Sequence, residues 1–280
     1  MRPRGFQPSD GIRHPDTQRL YRHHLTAFLE SRHATHQRCA LQLERFDDDT
    51  KIPPFAILSH TWGSEEVSLQ QLDDAHTGDD SMRIRIKGML GYTKIAKTCK
   101  QALDDGYAYA WVDTCCIDKS SSAELSEAIN SMFRWYQEAR VCYAFWKMTG
   151  WSYERFEKAR WFTRGWTLQE QIAPHDVRFY AAGRVFIGSK ASMADPLSSI
   201  TGIYWNVLAD PDSQLERQSV ARRMSWAASR TTTRIEDIAY SLMGLFGVNM
   251  PLLYGEGKKA FVRLQEEVLR EHEDQSLFAW

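Results

Sequence analysis

Apolar residues along this chain follow two periods that alternate. "PFAILSH" (54–60) is a short, nearly continuous apolar run behind two prolines, the pattern of a strand buried on both faces. "YAYAWVDTCCI" (107–117) and "VCYAFW" (141–146) repeat that texture. Between these runs the period lengthens to that of a helix. In "YTKIAKTCKQALDDG" the residues Ile95, Cys99, Ala102 and Leu103 share one stripe, and Gly106 supplies a stop. "SSSAELSEAINSMFRWYQEAR" carries Leu125, Ile129, Met132, Phe133 and Tyr136 on a second stripe, with Ser121 and Glu124 at capping-box spacing. A third helix is predicted around Trp166 and Glu170, stopped by Pro174. "VRFYAAGRVFIG" (177–188) reads as two strands turning at Gly183. This alternation predicts an α/β fold: an open, mostly parallel sheet flanked by helices, with right-handed crossovers and an added β-hairpin.

From about residue 192 the texture is helical. "SVARRMSWAASR" and "KKAFVRLQEEVLREHE" each read as one helix, and so does "TTRIEDIAYSLMGLFG", with Thr233 and Glu236 as a second capping box. Residues 1–50 are polar, rich in His and Arg, and end in Asp47-Asp48-Asp49. They read as a variable leader with one helix around 18–31. The body is then 51–280, divided into a sheet-bearing core (51–190) and a helical C-terminal extension (191–280).

Composition narrows the classes. The 280 residues are 43% hydrophobic and 12% aromatic, enough for a large core. Lys plus Arg (35) balance Asp plus Glu (36), so bulk charge gives no reason to expect nucleic acid. No apolar run approaches the roughly 20 residues of a membrane span, and the N-terminus lacks the apolar region of a secretory signal. Five cysteines, Cys39, Cys99, Cys115, Cys116 and Cys142, read as reduced thiols of a cytoplasmic or nuclear protein.

Most candidate chemistry fails on spacing. Cys115 and Cys116 are adjacent, not two apart, so no zinc signature exists. "YGEGKKAF" (254–261) has Leu252 and Lys259 where a phosphate loop needs Gly and Ser or Thr, so Gly255 and Gly257 are expected to make a turn. Ser59 and His60 are neighbours in a strand and point to opposite faces, which makes them poor nucleophile–base partners for Asp113. Ligand crevices of open α/β sheets lie outside the carboxyl ends of the strands. Ser59, His60, Trp62, Gly63, Asp113, Cys115 and Asp118 all fall at such ends and are expected to line one rim; Asp113 and Asp118 are equally suited to capping turns. Arg222, Arg223, Arg230 and Arg234 fit a solvated helix face better than a phosphate site. Glu170 stands out, because the aromatic stretch "ARWFTRGWTLQE" would desolvate its carboxylate and raise its pKa.

Four stretches, "FAILSHTWG", "YAWVDTCCIDKSSSAELSEAINSMFRWYQEA", "RGWTLQE" and "TTRIEDIAYSLMGLFGVNMPLLYGEGKKAFVRLQEE", closely resemble the fungal heterokaryon incompatibility (HET) domain over about 51–280. Gln171 departs from the Leu usual after "WTLQE". The family acts in fungal non-self recognition, where the domain triggers programmed cell death, and it is distantly similar to TIR domains. That second resemblance implies a TIR/flavodoxin-like sheet. Trp166-Thr-Leu-Gln-Glu170 matches a TIR motif whose Glu, in enzymatic members, is required to cleave NAD at the nicotinamide–ribose bond. What the resemblance implies is therefore Glu170 as catalytic residue, Trp166 beside the nicotinamide, and Ser59, His60, Trp62 and Gly63 holding ribose or phosphate. It also implies NAD as substrate rather than cofactor, self-association, and an upstream NLR-type sensor or incompatibility partner. The alternative it leaves open is a non-enzymatic, self-assembling signalling module, with Trp146, Trp151 and Tyr153 as contact aromatics.

Overall fold

The computed structural model describes residues 22–30, 38–46, 48–146 and 152–279. Its strands are β1 (Arg22–Glu30), β2 (Arg38–Phe46), β3 (Phe55–Ser59), β4 (Tyr109–Trp111), β5 (Val141–Phe145), β6 (Val177–Ala181) and β7 (Val185–Ser189). They form one sheet in the order β2-β1-β4-β3-β5-β6-β7. The central four, β4-β3-β5-β6, are parallel, and the hairpin partners at both margins are antiparallel. Numbered from β3, the parallel part runs 2-1-3-4, the flavodoxin-like arrangement. The expected added hairpin is β6–β7, with Gly183 at φ 78° in its turn.

The helices between the strands are α1 (Leu69–Thr77), α2 (Asp80–Lys87), α3 (Leu90–Asp104), α4 (Ser122–Glu138), α5 (Tyr153–Glu157) and α6 (Thr167–Ile172). Register tells which face each covers. Ile57 pairs with Trp111 and Cys142, so these three share a face, and Leu58 and Tyr143 share the other. Trp111 packs edge-on against Trp135 and Tyr136, which places α4 on the first face. The Tyr143 hydroxyl donates to Asp105 at 2.7 Å, just past the end of α3, which places α3 on the second. The crossovers from β3 to β4 and from β4 to β5 run in opposite directions across the sheet and so cover opposite faces, as right-handed connections require. The carboxyl ends of β3 and β5 are therefore the topological switch point.

The C-terminal part is helical, in shorter pieces than expected: α7 (Ala194–Thr201), α8 (Trp205–Ala209), α9 (Pro211–Gln214), α10 (Val220–Ser225), α11 (Asp237–Tyr240), α12 (Met243–Phe246) and α13 (Lys259–Glu271). Three sequence expectations are corrected. The helix around 18–31 is strand β1 over Arg22–Glu30; Leu25, Ala27 and Leu29 alternate at period two, and β1 pairs with β2 and β4. Residues 18–21 and 31 lie outside the described residues. Neither capping box closes: Ser121 does accept from Glu124 N, but the Glu124 carboxylate accepts from Asp118 N, and Glu236 accepts from Gly255 N and Gly257 N. Arg223 and Arg230 are buried, not solvated.

Candidate active site at the switch point

Ser59 ends β3 beside Ala144 of β5, on the α4 face. Its hydroxyl donates to Glu170 Oε2 at 2.5 Å and accepts from Trp161 Nε1 at 2.7 Å. Because the indole N–H can only donate, the Ser59 proton is committed to the carboxylate. Glu170 is 6% exposed and has no ion-pair partner among the described residues. Burial pushes its pKa up to about 8; the Ser59 bond and the distant Arg164 and Arg230 charges pull down, while Asp113 adds to the rise.

Helix α6 is held from both ends by buried cations. Lys190 Nζ donates to the carbonyls of Gln171 (3.4 Å), Ile172 (3.2 Å) and Pro174, which satisfies the C-terminal acceptors that a helix leaves open. Burial lowers its pKa to about 8. Arg230 donates to Arg164 O (3.2 Å), Thr167 Oγ1 (3.1 Å) and Gln171 Oε1 (3.0 Å). Burial brings this guanidinium down to about 10, opposed by Glu170. Gln171, in place of the usual Leu, is thus the acceptor for a buried arginine. On either side of Glu170, Gln169 Nε2 and Gln171 Nε2 are buried donors with no hydrogen-bond partner among the described residues.

His60 points to the α3 face, so the expected single rim divides into two constellations. Lys94 Nζ lies 2.7 Å from His60 Nδ1, and His60 Nε2 lies 2.7 Å from Asp113 Oδ1. An ammonium only donates, which assigns the proton to Nε2 and makes it the donor to Asp113. Lys94 also bonds both oxygens of Glu66, at 2.6 and 2.5 Å, and Gly63 N donates to Glu66 at 2.6 Å. Asp113 Oδ2 accepts from Trp62 Nε1 at 2.7 Å. Burial would raise the Asp113 pKa, yet His60, Lys119 and Trp62 outweigh it and hold the carboxylate far below its usual range. Trp62 is 49% exposed, with Lys119 Nζ 4.0 Å over its ring.

The remaining candidates fall elsewhere. Cys115 is fully buried, its thiol pKa raised by burial and by Cys116, so it belongs to the core and not to a rim. Asp118 accepts from Ser120 N at 2.9 Å and Ser120 Oγ at 2.6 Å, the turn-capping role. Trp166 precedes α6 and hydrogen-bonds Asp237; the indole that joins Glu170 through Ser59 is Trp161. Of the contact aromatics, Trp146 is buried, Tyr153 is exposed, and Trp151 lies outside the described residues. Sequence reasoning misses Gln169, places Arg230 on a solvated helix face, and reaches Trp161 only as a member of the aromatic run around Glu170. Among the described residues no cluster suits a metal ion, and no helix is long and apolar enough to cross a membrane.

Residues 55–152 match the family described as heterokaryon incompatibility protein (HET), and residues 259–280 match a domain of unknown function (DUF8212). The chain is 48% identical over 233 residues to the vegetative incompatibility protein HET-E-1 of Podospora anserina. That match covers 78% of this chain and 16% of the relative's length. No solved structure matches.

Proposed function

The chain belongs to the heterokaryon incompatibility (HET) domain family, and from that premise we propose that it is a cytoplasmic cell-death effector domain of fungal non-self recognition that acts by cleaving NAD at the nicotinamide–ribose bond. The observation that carries this reading is Glu170: a dry carboxyl at the switch point of the sheet, oriented by Ser59, with no ion-pair partner and flanked by two amide donors without hydrogen-bond partners among the described residues. In the reaction the C1′–N bond breaks and nicotinamide leaves as a neutral molecule with the bonding pair. The ribosyl fragment carries oxocarbenium charge until water adds and loses a proton. An ionised Glu170 faces that charge and accepts from the ribose hydroxyls, an effect commonly worth about 3–4 kcal/mol. Ser59 holds one carboxylate oxygen and leaves the other for the sugar. On the opposite face Trp62 and the His60–Asp113 pair are suited to the far end of the dinucleotide.

Since the free protein holds Glu170 protonated up to about pH 8, kcat/KM is expected to rise with pH to a plateau above that value. Bound pyridinium cation favours ionisation, so kcat should rise at lower pH. The test is nicotinamide release from NAD. Glu170→Gln is expected to lower kcat by about a hundredfold or more. Activity undiminished in that variant would end the assignment.

One observation favours the non-enzymatic, self-assembling module instead: Glu170 is almost sealed in the single chain. Under the enzymatic reading this seal makes the monomer silent and assembly the activator. Cell killing by Glu170→Gln at the wild-type level would select the module.

A further inference from the structure

A surface on the α3 face, remote from Glu170, joins cations to exposed aliphatic side chains. Ile84 and Lys87 are one turn apart on α2, and Leu90, Thr93 and Lys97 share a stripe of α3. Ile84 is 74% exposed and Leu90 64%, although both helices bury other aliphatics, Ile86 and Ile95, in the core. Against the α3 stripe lies an open basin of about 430 Å³ lined by Lys87, Tyr92, Thr93, Lys97, Lys100 and, from the β6–β7 turn, Arg184. Its charge is one-sided. Asp104 takes both Lys100 and Arg184, whereas Lys87 and Lys97 have no carboxylate partner among the described residues. The nearby acids are engaged: Glu65 accepts from Leu90 N at the start of α3, and Asp80 pairs with Arg83. Four lining cations against Asp104 and Glu65 still leave a positive patch on a chain whose net charge is -1.

We propose that this α2–α3 face docks on an anionic phospholipid membrane, with lipid phosphate in the basin at Lys87 and Lys97 and with Ile84 and Leu90 entering the interfacial layer. A free anion would use the lysines and leave the two aliphatics without a role. A nucleic acid would call for stacking aromatics, and Tyr92 alone lines the basin. Cations beside exposed aliphatics match a bilayer surface, which offers negative headgroups above hydrocarbon.

The experiment is co-sedimentation of the whole chain with phosphatidylcholine vesicles, with and without phosphatidylserine. Binding is expected to the anionic vesicles, at least about tenfold above neutral ones, and to fade as salt rises. Lys87→Glu with Lys97→Glu should weaken it by about tenfold or more. Ile84→Ser with Leu90→Ser should weaken it comparably at unchanged charge. All four positions are exposed, so melting temperatures should stay at the wild-type value and certify the fold. Equal partition to neutral vesicles, no vesicle binding, or full binding by either double variant overturns the proposal. Capture of inorganic phosphate or RNA without vesicle binding overturns it too and reassigns the basin.

Discussion

A carboxyl that folds into a dry site and keeps its proton there costs stability as the pH climbs. Glu170 has an ordinary value of 4.5 and a folded value of about 8. Between those limits the folded state binds more protons than the unfolded one, so stability falls through that window and levels off above it. The span of 4.5 to about 8, at about 1.4 kcal/mol per pH unit, comes to about 5 kcal/mol at most. Glu170→Gln is neutral, keeps an oxygen for the Ser59 hydroxyl, and should be more stable than wild type at pH 8 while differing little at pH 4. Chemical denaturation at the two pH values reads this directly; a constant difference between them would refute the raised value. Ser59→Ala removes the donor that steadies the ionised form, so the midpoint of the activity profile should move to higher pH. The special character of Glu170 is legible in its aromatic neighbourhood. The Ser59–Trp161 bond is not, because it joins residues 102 apart and depends on strand β3 meeting the segment before α6.

Helix α6 has six residues, all buried, too few to be stable on local bonds alone. Its position rests on Lys190, whose ammonium is buried among three carbonyls. Lys190→Met would remove a costly buried charge but leave those acceptors unpaired. The second effect should win, with a loss of about 1–3 kcal/mol and a parallel fall in any activity that needs Glu170 in place. A variant as stable as wild type would show that the carbonyls find other partners. Close approach of elements sets a second constraint: a Cβ at Gly244 of α12 would lie 2.1 Å from the Phe133 Cβ on α4. Gly244→Ala is therefore expected to cost roughly 1–3 kcal/mol, read as a lowered Tm. At this scale the core strands were legible because β3, β4 and β5 are buried on both faces and read as continuous apolar runs. The C-terminal helices were legible only as texture. "TTRIEDIAYSLMGLFG" has one helical period, yet its chain breaks into α11 and α12, while the Glu236 carboxylate turns away to hold the Gly255–Gly257 loop. Such long-range polar contacts leave no trace in local spacing.

For the molecule as a whole, the residues read as a leader complete the sheet. Strand β1 joins β4 through Leu25↔Ala110 and Thr26↔Tyr109, and β2 continues the order outward. Leu41 is 2% exposed and belongs to the core cluster, the Tyr109 hydroxyl donates to Glu44 at 3.0 Å, and Phe46 packs edge-on against Tyr109 at 5.8 Å. Deleting residues 1–47 would strip these contacts and bare one edge of β4, a three-residue strand whose remaining ladder is to β3. β4 would then be the outermost strand, and an uncovered sheet edge invites pairing with another chain. The shortened protein is expected to lose a few kcal/mol, since burying Leu41 alone is worth about 1.5–3 kcal/mol, and to associate at concentrations where the full chain does not. Light scattering together with urea denaturation measures both effects. A truncated chain that stays monomeric and equally stable would mean that β4 needs no cover, and that the hairpin is an appendage and not part of the sheet that positions Ser59 and Glu170.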